Sequence, residues 1–239
     1  MPAGFQVVND SGIMIIDETY VCLALRASGT AVATTATGIG AIQYVDIGYS
    51  GSDSPLLILY KPQRNGRTDE GASIMGARRN GDGSWTFRVA CFGSTSNLAG
   101  VDYGFAWYVF DRPAQVSAGA GVEVYNGSGA IVFSSMLRPM KIVATGATAG
   151  LPGGKYGFAY QASISIVNDS VEVVLSTGGN TYYDIWRGDI VGNYCTPDGI
   201  HSTRYTTGGS GRNDYPYGDL DSGDNGFTGP TLVVNLAGL

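Results

Sequence analysis

A segment near the start of the chain occurs again in the middle, and this repeat constrains the fold more than any other feature. The first copy runs from Gly4 to Asp17 and the second from Gly121 to Ser134. Equal positions carry Gly, Val, Asn, Ser and Gly, and apolar residues fill most of the others. In both copies a glycine closes a polar stretch between two apolar runs, as in hairpin loops that need a residue with positive φ. The repeat therefore predicts two equivalent β-hairpins.

The remaining patterns also indicate strands. The continuous apolar run from Pro55 to Tyr60 predicts a strand buried on both faces. The sequence Asn-Gly-Asp-Gly at 80–83 separates two strand-like runs and predicts a further hairpin. No segment carries an apolar stripe with helical spacing. We therefore expect an all-β fold, an antiparallel β-sandwich or sandwiches built from short strands and hairpins, with little or no helix.

Several connections are predicted from composition. The charged stretch from Lys61 to Gly71 predicts an exposed loop. A weaker echo of the repeat at 168–170 predicts a hairpin turn between strands at 156–167 and 171–176. The stretch from Val191 to Gly229 is rich in Gly, Asp, Asn and Tyr and predicts a long loop. It precedes a closing strand at 231–236.

The repeat leaves two domain arrangements open. One has an N-terminal β module at residues 1–116 and a C-terminal β module at 117–239, which carries the long Tyr/Gly/Asp-rich loop. The other is one continuous β-sandwich, with the two hairpins packed about a pseudo-twofold axis. Sequence after each hairpin diverges, which favours a shared structural device over two independent copies of a domain.

The net charge, the fraction of charged residues and the length of the apolar runs indicate which classes of partner to expect. The formal net charge is −6 and the pI about 4.6, which argues against a nucleic-acid partner. Only 14% of residues are charged, against roughly 25% in an ordinary soluble domain. Because charge is depleted at the core of interfaces, we expect a homo-oligomer, with a trimer favoured. No apolar run reaches the length of a membrane helix, so membrane insertion is not expected.

Reactive chemistry is sparse in this sequence. The chain has one histidine, His201, and no G-x-S-x-G segment that would hold a nucleophilic serine. Three cysteines, Cys22, Cys91 and Cys195, are too widely spaced for a zinc site or a disulfide framework and are predicted to be buried free thiols. We therefore expect a protein without catalytic activity or cofactor.

One stretch, from His201 to Phe227, has the composition of a recognition loop. Tyrosine among Ser, Gly and Asn offers a large amphipathic contact at low entropic cost. The candidate receptor- or ligand-binding residues are Arg204, Tyr205, Arg212, Asn213, Asp214, Tyr215 and Tyr217. Packing of these tyrosines within the loop or against a neighbouring subunit is the alternative. No metal site is predicted, since the acidic cluster lacks EF-hand spacing, but a bound cation would use Asp219, Asp221 and Asp224.

Two other interpretations stay open. Carboxylates within 214–224 would serve an enzyme that degrades polysaccharide if the fold held two of them across a cleft. A carbohydrate-binding module would use the same Asp/Tyr-rich stretch without catalysis. Separately, the arginines of a basic region would either meet anionic lipopolysaccharide or form a solvated face, and these are Arg64, Arg67, Arg78 and Arg79.

Two blocks of sequence resemble a known group of proteins. The opening MPAGFQVVNDSGIMIID resembles the N-termini of small β-rich proteins from the tail modules of tailed bacteriophages. The second block begins with an aromatic strand that ends in Phe110, Asp111 and Pro113. It continues through the second hairpin to Arg138 and Pro139 and is similar to a second hallmark of the same group. Together the blocks cover about a third of the chain.

The resemblance implies a noncatalytic virion protein of the tail tip or tail fibre, made in the host cytoplasm without a signal peptide. Its implied partners are other phage tail proteins and a host-surface glycan or protein receptor. The Tyr-rich C-terminal third has no counterpart in the resemblance.

Overall fold

The computed structural model describes residues 6–8, 14–17, 21–36, 42–52, 54–93, 101–115, 120–145, 150–159, 164–174, 180–213 and 232–239. Within these residues every regular element is a β-strand, and no helix is present that would be long and apolar enough to cross a membrane. The strands are β1 Gln6–Val8, β2 Met14–Asp17, β3 Ala24–Val32, β4 Thr35–Ala36, β5 Ile42–Tyr49, β6 Leu56–Tyr60, β7 Gly71–Arg79, β8 Trp85–Phe92, β9 Gly104–Asp111, β10 Glu123–Tyr125, β11 Ile131–Ser134, β12 Ile142–Thr145, β13 Tyr156–Ala159, β14 Ile164–Val174, β15 Asn180–Thr196, β16 Gly199–Asn213 and β17 Leu232–Asn235.

Two large antiparallel sheets form the body of the protein. The six-stranded sheet has the order β12-β17-β13-β6-β9-β3. The seven-stranded sheet has the order β14-β15-β7-β8-β5-β4, with β16 paired to β15. Both sheets contain strands from each side of residue 117.

The two sheets share one hydrophobic core. Leu59, Val109 and Phe158 of the six-stranded sheet lie in the same buried cluster as Phe87 and Val89 of the seven-stranded sheet. All five side chains are almost fully removed from water. Burial of this apolar surface between two layers is the main stabilising term of a sandwich. The predicted all-β, antiparallel sandwich class is confirmed.

The six-stranded sheet is also covered on its other face. Ile58, Phe110 and Val234 form a second buried cluster with Leu236 and Tyr108. Consecutive residues of a strand point to opposite faces, so the burial of both Ile58 and its neighbours places apolar side chains on both sides of β6. The prediction of a strand buried on both faces at 55–60 is confirmed.

The repeated segments form equivalent hairpins. β1 pairs with β2 and β10 pairs with β11 in two separate two-stranded sheets. The pairs Gln6–Asp17 and Val8–Met14 occupy the same positions in the repeat as Glu123–Ser134 and Tyr125–Ile131. Both hairpins also carry a register shift at the same place. In the second hairpin Gly129 has φ of 78°, which explains the glycine there.

The equivalence extends from the hairpins into the six-stranded sheet. The strand order of this sheet is palindromic by halves of the chain. From one edge to the centre it reads β3-β9-β6, all from the first half, and from the other edge to the centre it reads β12-β17-β13, all from the second half. β3 follows the first hairpin and β12 the second, and each carries a bulge against its partner at the same position of the repeat, beside Leu25 and Ile142 respectively. At the centre of the sheet, β6 of the first half of the chain pairs antiparallel with β13 of the second half through Leu59 and Phe158.

A second backbone contact joins the two halves of the chain. The N–H of Met140 donates to the carbonyl of Leu23 at 2.8 Å, and these two residues, which follow the two copies of the repeat, are as far apart in the sequence as the copies are. The neighbouring residues Ala24 and Pro139 form an antiparallel bridge. The segments that follow the two hairpins therefore pair with each other.

The hairpin predicted around 80–83 is confirmed. β7 and β8 are antiparallel, and the N–H of Asn80 donates to the Ser84 carbonyl at 2.7 Å. Gly83 has φ of 83°, a conformation that other residues adopt at a cost.

The prediction of an exposed loop from Lys61 to Gly71 is wrong at both ends. Lys61 is 0% exposed and Glu70 is 3% exposed, and Gly71 begins β7. Local charge predicts exposure, but Lys61 follows the central strand β6 directly and is carried into the core by it.

Two further connections differ from the sequence predictions. β14 runs without a turn through Asn168 and Asp169, which pair with Trp186 and Ile185 of β15. The β-forming runs on either side of these two residues outweigh their turn preference. The predicted loop at 191–229 is strand at least as far as Asn213, because β15 and β16 form a long hairpin. Residues 214–231 lie outside the described part of the chain.

The end of β9 is fixed by a buried carboxylate. Asp111 is 2% exposed and accepts four hydrogen bonds. The Tyr49 hydroxyl donates at 2.9 Å, the Ser52 N–H at 2.7 Å and the Arg112 N–H at 2.7 Å, and the Ser52 hydroxyl donates as well. Burial alone would raise the pKa of Asp111, but the donors from Ser52, Arg112 and Tyr49 bring it below the ordinary value.

We expect Asp111→Asn to lower the free energy of unfolding at pH 7 by about 2 kcal/mol, because the amide cannot accept all four bonds. A carboxyl whose pKa is depressed by folding stabilises the fold above its unfolded pKa, and this contribution is lost as pH falls through the folded pKa. Urea unfolding at several pH values should therefore show the difference at pH 7 and its decline below about pH 4. Asp46→Asn removes an exposed carboxyl that pairs with Arg88, and as the comparison it should show a smaller loss of stability, because solvent screens that pair. A difference independent of pH would contradict this account.

Candidate binding surface

Four of the predicted binding residues lie on a strand instead of in a loop. In the register of β15 with β16, Arg204 is opposite Val191 and Tyr205 is opposite Ile190. Further along the same ladder Arg212 is opposite Tyr183 and Asn213 is opposite Tyr182. The hairpin thus places Tyr182 and Tyr183 of β15 opposite two of the predicted binding residues. The sequence analysis missed these tyrosines, because strand register cannot be read from composition.

This hairpin belongs to a three-stranded arm, which we define as β14, β15 and β16. β15 has 17 residues and β16 has 15, against roughly 5–6 for an average strand. β15 pairs with β7 of the sandwich only at Asn193 and Ala72, whereas residues 180–190 pair with β14 and β16. The arm therefore carries Arg204, Tyr205, Arg212 and Asn213 along strands that pair mainly with one another.

The remaining candidates fall outside the described residues. They are the predicted binding residues Asp214, Tyr215 and Tyr217 and the cation candidates Asp219, Asp221 and Asp224. In the described part of the chain, no group of three or more His, Cys, Asp and Glu side chains is placed to hold a metal ion.

His201 sits next to the turn of the long hairpin. Its ring stacks on Tyr194 with centroids 5.4 Å apart, and Nε2 lies 3.5 Å from Asp198 Oδ1. The pKa of Asp198 is lowered, first by the Thr196 hydroxyl and then by His201. Ser202, the adjacent serine, donates to Asn193 at 2.8 Å. These six side chains form local contacts at the end of the hairpin, and no hydroxyl in the described part of the chain is recorded as hydrogen-bonded to the imidazole.

A polar groove crosses the outer face of the seven-stranded sheet. Arg88 on β8 donates to both carboxylate oxygens of Asp46 on β5, each at 2.8 Å. The guanidinium carbon also lies 4.4 Å from the ring centroid of Tyr44. The hydrogen bond from Arg88 holds the pKa of Asp46 below its ordinary value. Sequence alternation puts Tyr44 and Asp46 on one face of β5, but their pairing with Arg88 depends on tertiary register.

Arg78 borders the same groove and makes no hydrogen bond or ion pair with the described residues. The groove has a volume of about 300 Å³ and its floor includes Gly76, where no side chain projects. The charge of Arg78 acts on Asp46 across the groove, and a guanidinium beside such a floor is chemically suited to a carboxylate or phosphate group.

The predicted basic region does not act as one unit. Arg67 is bound to Asp69 at 2.9 Å and to Glu70 at 3.1 Å. Arg78 and Arg79 lie on β7, whereas Arg64 is exposed in the preceding connection. Only part of the predicted set is therefore available for an anionic partner.

The cysteines are free thiols, and two of them are buried as predicted. Burial raises the pKa of Cys91 and of Cys195 to about 12. Burial also raises the pKa of Cys22, which is half-buried. Because the thiolate is the reactive form, none of the three has the environment of a nucleophile.

We expect Cys91 and Cys195 to resist iodoacetamide at pH 8 in the native protein, because they are buried and protonated. Cys22 should be modified slowly. In denaturant all three should react, which mass spectrometry of the intact protein would show. Rapid labelling of Cys91 or Cys195 in the folded protein would contradict the burial described above.

In comparisons with known proteins, no family model, no curated protein and no solved structure matches this chain.

Proposed function

We propose that this protein is a noncatalytic component of a bacteriophage tail tip or tail fibre. It serves as a structural unit that assembles with other tail proteins and contributes to binding at the host surface. The proposal begins from the resemblance of two sequence blocks to tail-module proteins and is supported by the place of those blocks in the fold.

The residues that carry the resemblance occupy framework positions. The two repeated segments form equivalent hairpins, and Asp111 fixes the end of β9. The Arg138 carbonyl accepts from the Leu25 N–H at 2.8 Å, and Pro139 bridges to Ala24. The residues that carry the resemblance therefore belong to the structural framework, and related structural proteins would share their framework residues.

The observation that carries the binding role is the three-stranded arm. It carries Arg204, Tyr205, Arg212 and Asn213 on a strand at one edge of the seven-stranded sheet, where the strands pair mainly with one another. Arginine and tyrosine are enriched among the residues that dominate binding energy at protein interfaces. The arm therefore brings together residue types that are typical of a contact surface.

Immunogold labelling of particles of the encoding phage tests the location. We expect gold at the distal end of the tail. Labelling confined to the head, or absence of the protein from purified particles, would refute a tail role. Light scattering on the purified chain checks the accompanying prediction of a homo-oligomer, for which we expect a trimer.

The double variant Arg212→Ala/Asn213→Ala tests the arm. We expect its affinity for susceptible host cells to fall about tenfold or more, the effect of losing one dominant contact residue. Arg112→Ala, an exposed arginine of the sandwich, should bind as the unaltered protein does. Equal binding by both variants would exclude the arm from the receptor contact. Shortening of purified host polysaccharide by the protein would instead favour the enzymatic alternative.

A further inference from the structure

Lys61 is the most deeply buried charged residue in the described part of the chain. It follows β6 at the point where the chain leaves the six-stranded sheet, and its side chain is 0% exposed. Nζ donates to the backbone carbonyls of Asp102 at 2.5 Å and Gly104 at 3.1 Å. A primary amine is therefore fixed in position inside the protein, beside the segment that leads into β9.

Two carboxyl groups face this amine. Asp102 Oδ2 lies 3.5 Å from Nζ, and Glu70 Oε2 lies 4.0 Å from it. Reacting groups held at roughly 3–3.5 Å are in the range of a near-attack arrangement. The 3.5 Å separation is measured to Oδ2, and Cγ, the carbon that Nζ would attack, is bonded to that oxygen, so a small movement of either side chain brings the reacting atoms into this range.

The two carboxylate oxygens of Glu70 differ in their hydrogen bonding. Oε1 accepts a hydrogen bond from the Asp102 N–H at 3.5 Å and lies 3.1 Å from Arg67 Nε, whose own hydrogen bond goes to Asp69. Oε2 is buried and has no hydrogen-bond partner among the described residues. An unpartnered buried carboxylate oxygen is costly, and this one, 4.0 Å from the Lys61 amine, is placed to accept a proton from it.

We propose that Lys61 and Asp102 condense into an intramolecular amide, with Glu70 as the proton-transfer residue. Glu70 Oε2 accepts a proton from the ammonium group, and the free Nζ attacks Cγ of Asp102. The tetrahedral intermediate loses one carboxyl oxygen as water, with protons delivered through Glu70. Ammonium and carboxylate become one amide and one water, so that Glu70 ends as it began and no oxidant or co-reactant is needed.

The surrounding strands hold the two reacting groups close to each other. β6 and β9 pair next to the site, with Tyr60 opposite Ala106, so the sheet fixes the amine and the carboxyl relative to each other. Such positioning replaces an encounter in solution with a reaction inside one molecule. Lys61 is enclosed while the Asp102 side chain is 35% exposed, which leaves a route for the released water.

The mass of the intact, denatured protein is the primary test. We expect the folded chain to have lost one water, about 18 Da below the sequence mass, as amide formation from an amine and a carboxyl requires. Fragmentation after proteolysis should then find residues 61 and 102 in one branched peptide. An unaltered sequence mass after prolonged incubation of the folded protein would overturn the proposal and leave Lys61 as a buried ion-pair partner.

Variants assign the lost water to this site. Lys61→Arg keeps the positive charge but cannot form the amide, and Glu70→Gln keeps the shape while removing the proton-transfer group. Both should show the full sequence mass. In Asp102→Asn the leaving group is ammonia, so the loss should be about 17 Da if the amide still forms. Circular dichroism of each variant shows whether it has folded.

A matched control separates this bond from other dehydrations. Lys141→Arg changes an exposed lysine and should retain the loss of water. Asp-Gly sequences, present at Asp82 and Asp198, also lose water when they cyclise. If a folded Lys61→Arg protein still lacks one water, the loss arises elsewhere and the proposed amide is refuted.

Discussion

The antiparallel contact of β6 with β13 is the joint on which the sandwich depends. It places Leu59 beside Phe158 at the centre of the six-stranded sheet, where both side chains are fully buried. On each side of this joint stands one three-stranded unit, attached to one copy of the repeated hairpin. Without the joint, both central strands would expose unpaired N–H and C=O groups in an apolar core, which is strongly unfavourable.

Features that depend on local sequence were predicted well. The hairpins at 4–17, 121–134 and 80–83 follow from turn residues between β-forming runs, and the buried strand at 55–60 follows from a continuous apolar run. Features set by tertiary contacts were missed. Lys61 and Glu70 are charged residues that the sandwich encloses, and Asn168-Asp169 lies within a strand because its neighbours pair over eleven residues.

The candidate binding residues were identified by composition but not by conformation. Tyr, Arg, Gly and Asn marked the stretch after Val191, and the same abundance of glycine predicted a loop where β16 is a strand. The opposing tyrosines Tyr182 and Tyr183 and the pairing of Arg88 with Asp46 require knowledge of strand register. Composition therefore indicates which residue types are available for recognition, and only the ladder of hydrogen bonds shows which of them are neighbours.

The palindromic order of the six-stranded sheet has a consequence for how such a chain can diversify. Each three-stranded unit carries its own bulge and its own hairpin, so the framework is encoded twice. The long β15–β16 hairpin is built in one half, whereas β7 and β8 form a compact hairpin in the other. In such a repeated framework, the equivalent positions keep one backbone geometry, while the two halves can carry hairpins of different length.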